Sequence, residues 1–144
     1  MTALLDVNVL LALAWSNHLH HVAASAWFKE RRWRGWATCT LTESGFVRLS
    51  CNPTVVRDTI TPLDAIDALK GLMRLGNHTF WPLDRSIVHL PESIGIRLQG
   101  YRQVTDAVLL ATAMERGGQL VTLDAGMVGL VSEGEQDFLY VIPV

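Results

Sequence analysis

The sequence predicts an α/β fold, a parallel sheet covered by helices on both faces, and three observations carry that expectation. Five short apolar or β-branched segments recur along the chain at strand length. Helical patterns fill the intervals, which hold the dozen or more residues that a parallel crossover needs. Composition is the third: 49% apolar against 18% charged residues, with a mean hydropathy of +0.24, gives 144 residues a core that layers can share and excludes intrinsic disorder. No internal repeat, low-complexity tract or linker interrupts the alternation, so a single domain is expected.

Ala3 to Val7 reads as the first buried strand, followed by helical patterns over Val9 to Trp15 and His21 to Arg32. The second of these puts Val22, Ala26, Trp27 and Phe28 on one side and Lys29, Glu30 and Arg31 toward the other. Trp36 to Thr40 is the second strand and Leu41 to Leu49 its helix. Thr61-Pro62-Leu63-Asp64 is a helix start, with Thr61 as N-cap, Pro62 at the first position and an acid in the first turn; Gly71 or Gly76 ends that helix. Thr79 to Leu83 is the third strand, and Ser86 to Gln99 is expected to be helical with a break near Pro91. Val104 to Arg116 is a helix stopped by Gly117-Gly118; Leu120 to Leu123 and Phe138 to Ile142 supply the last two strands.

Charge and cysteine usage narrow the function classes. A net charge of −2 gives no general attraction to phosphate. If four acids bind cations, however, the rest of the chain carries 10 acids against 12 bases, and all of the bases except Lys29 and Lys70 are Arg, which suits phosphate contacts and base stacking. An RNA substrate is permitted. Cys39 and Cys51 make no disulfide framework and lack the companions of a zinc site. The apolar run Val7 to Trp15 is too short to span a bilayer, no basic residue precedes it, and Asp6 stands where a signal peptide would be apolar. A cytoplasmic protein with no membrane partner is expected.

In parallel sheets ligands bind at the carboxyl ends of the strands, where strand order reverses. Four acids fall at such places. Asp6 follows Leu4-Leu5, Glu43 lies in the first turn of the helix after strand two, Asp106 opens the Val104 to Arg116 helix, and Asp124 ends the Leu120 to Leu123 strand. In a doubly wound sheet these positions can converge on one cleft, an inference from topology. At ~4 Å a pair of carboxylates repels by on the order of 4 kcal/mol at an effective dielectric of ~20, so cations must compensate. Hard oxygen ligands without His or Cys select Mg²⁺ or Mn²⁺ over zinc. Such a site can hydrolyse a phosphodiester by stabilising charge on the phosphoryl oxygens and activating a water.

The local sequences LLDVNVLLALAW around Asp6 and Asn8, TLTESGFVRL around Glu43, VTDAVLLATAMERGG around Asp106 and LVTLDAGM around Thr122 and Asp124 together resemble the PIN domain, specifically the VapC-type toxin ribonucleases of bacterial toxin-antitoxin modules. The likeness covers nearly the whole chain in the right order, so residues 1–144 are expected to form one PIN domain. The resemblance implies a five-stranded parallel sheet in the order 3-2-1-4-5 and an Mg²⁺- or Mn²⁺-dependent endoribonuclease that cuts RNA, leaves a 5′-phosphate and inhibits translation. It also implies a homodimer neutralised by a cognate VapB-type antitoxin. By the same resemblance the catalytic and metal-binding residues are Asp6, Glu43, Asp106 and Asp124, with Asn8 and Thr122 as polar helpers. Ala125-Gly126 departs from the many relatives that carry a basic residue after the last acid.

Competing classes fit less well. An aspartyl phosphatase of the haloacid-dehalogenase type needs a second acid where Asn8 stands, and a receiver domain needs an acidic pair and a later Lys. The alternative is a PIN-like module that binds RNA or protein without cleaving. Asn8 could also simply cap a helix, and Thr122 could simply be a strand residue. Asp84, at the end of an edge strand, is left out of the site. His18, His20 and His21 lack a fourth ligand and read as structural or substrate-contacting. The run Arg31-Arg32-Trp33-Arg34 combines guanidinium groups and an indole and is a candidate contact for RNA or antitoxin. Trp15, Trp27 and Trp81 read as core.

Overall fold

The structure, a computed structural model, describes residues 1–144. In chain order the elements are β1 (Ala3–Leu5), α1 (Val7–Ala14), α2 (His21–Arg31), β2 (Trp36–Thr38), α3 (Thr40–Ser50), α4 (Pro62–Met73), β3 (His78–Phe80), α5 (Glu92–Gly95), α6 (Val104–Glu115), β4 (Gln119–Thr122) and β5 (Leu139–Val141). The five strands form one parallel sheet in the order β3-β2-β1-β4-β5. β1 is central and wholly buried, which is why its residues are apolar without alternation.

Alternation instead divides the core into two layers. Leu5, Trp36 and Val121 pack with α1 to α4 against Val9, Leu10, Phe28, Phe46, Leu69 and Leu72. Leu4, Ala37 and Leu120 pack on the opposite face with α6, against Ala107, Leu109, Leu110 and Ala113, and with Ile94 of α5. Each fully buried Leu contributes roughly 1.5–3 kcal/mol relative to exposure. Trp27 and Trp81 are buried as expected, and half-buried Trp15 stacks on Phe46 with its indole N–H donated to Ser50. No helix is long and apolar enough to cross a membrane.

Local chemistry sets the helix ends that place the site. Thr61 caps α4 as expected and Asp64 reciprocates: the Asp64 amide donates to Thr61 Oγ1 (3.1 Å) and the Thr61 amide to Asp64 Oδ2 (3.0 Å). At the end of α6, Gly117 takes φ +62°, and the Gly117 and Gly118 amides donate to the Met114 and Ala113 carbonyls, closing the helix as a Schellman motif.

Two expectations need correction. The first three strands stop before their expected ends: Asp6, φ −64° and ψ 157°, caps α1, so Val7 is helical and Asn8 lies inside the first turn rather than capping it. The segment Ser86 to Gln99 is not one helix. It forms a 3-10 turn at Ile87–His89 and the single turn of α5, because Pro91 offers no amide and crowds the preceding turn. β3 is His78–Phe80 rather than Thr79 to Leu83, and it is a partly exposed edge strand.

Candidate active site

Strand order reverses at β1, between β2 and β4, so the crevice at the carboxyl ends of β1 and β4 is the expected ligand site of this topology. Asp6 leaves β1 directly into that crevice. Its Oδ1 accepts from the Val7 amide (2.7 Å) and its Oδ2 accepts from Thr122 Oγ1 (2.7 Å), the last residue of β4. Because the single hydroxyl proton of Thr122 goes to Asp6, its lone pairs are left to accept, and they receive Asn8 Nδ2 (3.1 Å) and the Asp124 amide (3.1 Å). Asn8 Oδ1 accepts from the Leu123 amide (3.1 Å). Asn8 and Thr122 therefore lock the end of β4 to the start of α1 and hold Asp6 in one rotamer. Neither is simply a cap or a strand residue.

Asp124 is exposed, and its Oδ1 accepts from the Gly126 amide (2.8 Å) as the chain enters a 3-10 segment. Asp106 lies in the first turn of α6, where the helix dipole favours a negative charge. Burial nevertheless pushes its carboxyl up to about 6, assisted by the charges of Asp6 and Asp124. Asp6 is raised for the same reasons, burial first and Asp124 last, against the lowering effect of its bonds from Thr122 and Val7. Asp106 accordingly feels the charges of Asp6 and Asp124, and Asp6 that of Asp124.

Glu43 is placed differently. It sits on α3 at the end of the adjacent strand β2, and its Oε2 accepts from Thr38 Oγ1 (2.6 Å). The charges that raise Asp6 and Asp106 are those of the other aspartates, whereas Glu43 acts on His78, whose imidazole burial pushes below its ordinary value while Glu43 raises it. No three His, Cys, Asp or Glu side chains form a ready-made metal cage. As hard oxygen donors, these carboxylates suit Mg²⁺ or Mn²⁺ in their chemistry. Asp6, Asp106 and Asp124 thus sit at the ends of β1 and β4 and the start of α6, and the Glu43 carboxylate is bonded to Thr38 at the end of β2.

The remaining candidates lie elsewhere. Arg31 to Arg34 precede β2, at the amino end of the sheet and so opposite the carboxylates. Arg31 stacks over Trp27 (5.9 Å) and Tyr140 (5.3 Å), and Arg32 stacks over Trp33 (5.7 Å) while its carbonyl accepts from the Asn77 amide. Trp33 and Arg34 are exposed. His18 and His21 serve the α1–α2 turn: His18 Nδ1 accepts from the His20 amide and His21 Nδ1 donates to the Ala12 carbonyl. Asp84 is exposed beyond the edge strand, and both cysteines are free. Sequence reasoning missed Thr38 and His78, whose pairing across strands no spacing rule announces.

Comparisons with known proteins identify the family. The PIN domain family model matches residues 3–129. The chain is 46% identical over 134 residues to Ribonuclease VapC39 of Mycobacterium tuberculosis, covering 93% of this chain and 96% of that protein. It is 48% identical over 131 residues to Ribonuclease VapC38 of the same organism, covering 91% of each. A solved toxin-antitoxin complex from Klebsiella pneumoniae contains a chain of the same fold, with a TM-score of 0.55 at 21% identity, covering 91% of this chain and 97% of that one. With the family model spanning most of its length and relatives at nearly half identity, the chain belongs to the PIN-domain family, among the VapC ribonucleases.

Proposed function

We propose that this protein is an endoribonuclease toxin that hydrolyses RNA phosphodiester bonds with Mg²⁺ or Mn²⁺, inhibits translation in the cytoplasm and is neutralised by a VapB-type antitoxin. The observation that carries the reading is the placement of Asp6, Asp106 and Asp124 at the switch point of a fold whose relatives are named ribonucleases. These three, with Glu43 from the neighbouring strand end, are the groups that would hold the metal. A bound divalent ion supplies charge stabilisation at the phosphoryl oxygens and an activated water. The protein's own part is positional. Thr122 and Asn8 keep Asp6 in a single orientation, the Gly126 amide does the same for Asp124, and the first turn of α6 presents Asp106.

Residues 1–144 act in this reading as one PIN domain that works as a homodimer. Arg31, Arg32, Trp33 and Arg34 are assigned to contact with RNA or antitoxin; their place at the amino end of the sheet puts such a contact away from the scissile phosphate. The test is incubation of the purified protein with single-stranded RNA in Mg²⁺, in Mn²⁺ and in EDTA. Cleavage to 5′-phosphate products with either metal and none with EDTA is expected. RNA that is bound but left intact under all three conditions would replace this reading with a non-catalytic binding module.

A further inference from the structure

Glu43 lies on α3 at the end of β2, and two residues outside the sequence motifs form a hydrogen-bonded chain to its carboxylate. Thr38 ends β2 and is fully buried. In the parallel register Trp36 pairs with His78 and Thr38 with Phe80, so the side chains of Trp36, Thr38 and His78 share the sheet face covered by α1 to α4. Thr38 Oγ1 lies 2.6 Å from Glu43 Oε2 and 2.8 Å from His78 Nε2. A hydroxyl has one proton, and a carboxylate only accepts, so that proton points to Glu43. Toward His78 the hydroxyl can then only accept, which places the imidazole hydrogen on Nε2. The ring is itself held: its centroid is 4.6 Å from that of Trp36, whose indole N–H donates to the Leu75 carbonyl (2.8 Å).

We propose that Thr38 and His78 are positioning residues for Glu43, acting as a directed chain from His78 Nε2–H to Thr38 Oγ1 and from Thr38 Oγ1–H to Glu43 Oε2. The chain fixes one carboxylate oxygen and leaves Oε1 without a bond inside the protein, free for the hydrolytic centre. The inference rests on the reading of Glu43 as a member of that centre. It extends the site by two residues at the β2–β3 edge, 40 positions apart in sequence.

Four variants and one spectrum test it. Thr38→Val keeps the β-branched shape and removes the hydroxyl, Thr38→Ser returns it, His78→Phe keeps a ring against Trp36 without a donor, and Glu43→Gln reports on Glu43 itself. RNA cleavage under single-turnover conditions and Mn²⁺ affinity by calorimetry are measured for each. Thr38→Val is expected to lose about 10 to 100-fold in cleavage and to bind Mn²⁺ more weakly, as losses of groups that orient ligands do. His78→Phe is expected to change both in the same direction, and Thr38→Ser to recover most of the loss. Nitrogen NMR of the unaltered protein should show His78 as the Nε2–H tautomer, a readout that needs no variant to fold.

Wild-type cleavage and Mn²⁺ affinity in Thr38→Val and His78→Phe, beside an impaired Glu43→Gln, would overturn the proposal and leave the hydrolytic reading intact. Wild-type cleavage in Glu43→Gln would remove Glu43 from the centre and the proposal with it. Failure of Thr38→Ser to recover would assign the effect to packing, and an Nδ1–H tautomer would overturn the chain's direction; either result refutes it.

Discussion

Replacing Asp106 by Asn should stabilise the metal-free protein while removing its activity, and the size of the effect follows from the site. Burial and the charges of Asp6 and Asp124 raise the Asp106 carboxyl from its ordinary 3.8 to about 6. For an acid whose folded pKa lies above the unfolded one, ionisation costs stability. The cost is absent below pH 3.8, grows as pH rises from there to 6, and is complete above that. At 1.36 kcal/mol per pH unit the full cost is about 3 kcal/mol. Asp106 is only half-buried, and screening by water reduces this to about 1–2 kcal/mol. Asn has the same shape and no charge, so at pH 8 in EDTA it should raise the melting midpoint by about 3–8 °C for a chain of this length. At pH 5 the folded wild type keeps most of its proton, and the advantage should fall to roughly half. Thermal unfolding at the two pH values is the assay. An equal midpoint at pH 8, or a gain that does not shrink on acidification, would refute the raised Asp106 carboxyl and the cost of ionising it in the folded site.

Other consequences are equally concrete. Millimolar Mg²⁺ or Mn²⁺ should raise the wild-type midpoint in a melting titration, by the mass action of a cation that binds only the folded site, and should raise that of Asp106→Asn less. Asn8→Ala and Thr122→Val should each lower the cleavage rate about 10 to 100-fold with the fold retained, because both release Asp6 from its fixed rotamer. Gly76→Ala should destabilise by more than about 2 kcal/mol in denaturant unfolding. Gly76 has φ +68°, and an added Cβ would stand 2.5 Å from the Arg32 carbonyl oxygen.

The parts of this structure written in local chemistry were legible in the sequence. The α/β class follows from alternating apolar segments, the strand order came only with the family resemblance, and the caps of α4 and α6 follow from Thr61-Pro62 and Gly117-Gly118. The positions of Asp6, Asp106 and Asp124 were readable because strand ends and helix starts are sequence features. What failed depended on competition between local and tertiary effects. Ser86 to Gln99 has helix-like apolar spacing, yet Pro91 divides it. Asp6 takes the cap position that ends β1 early, and Asn8 bonds across to β4 instead of along its own helix. Glu43 was found by position, but its rotamer is set by Thr38, whose partner His78 arrives on another strand. Nor could the sequence show that Arg31 to Arg34 would lie at the end of the sheet opposite the acids, since that depends on which end of β2 they flank.

The central claim is that the aspartates at the strand ends form one hydrolytic unit. Its most direct test is the RNA cleavage rate of Asp6→Asn, Asp106→Asn and the double variant, measured side by side in saturating Mg²⁺ and in Mn²⁺. Groups that act as a unit are non-additive, so each single change should abolish cleavage and the double should cost no more. Full cleavage by either single variant, or losses that multiply in the double, would contradict the account.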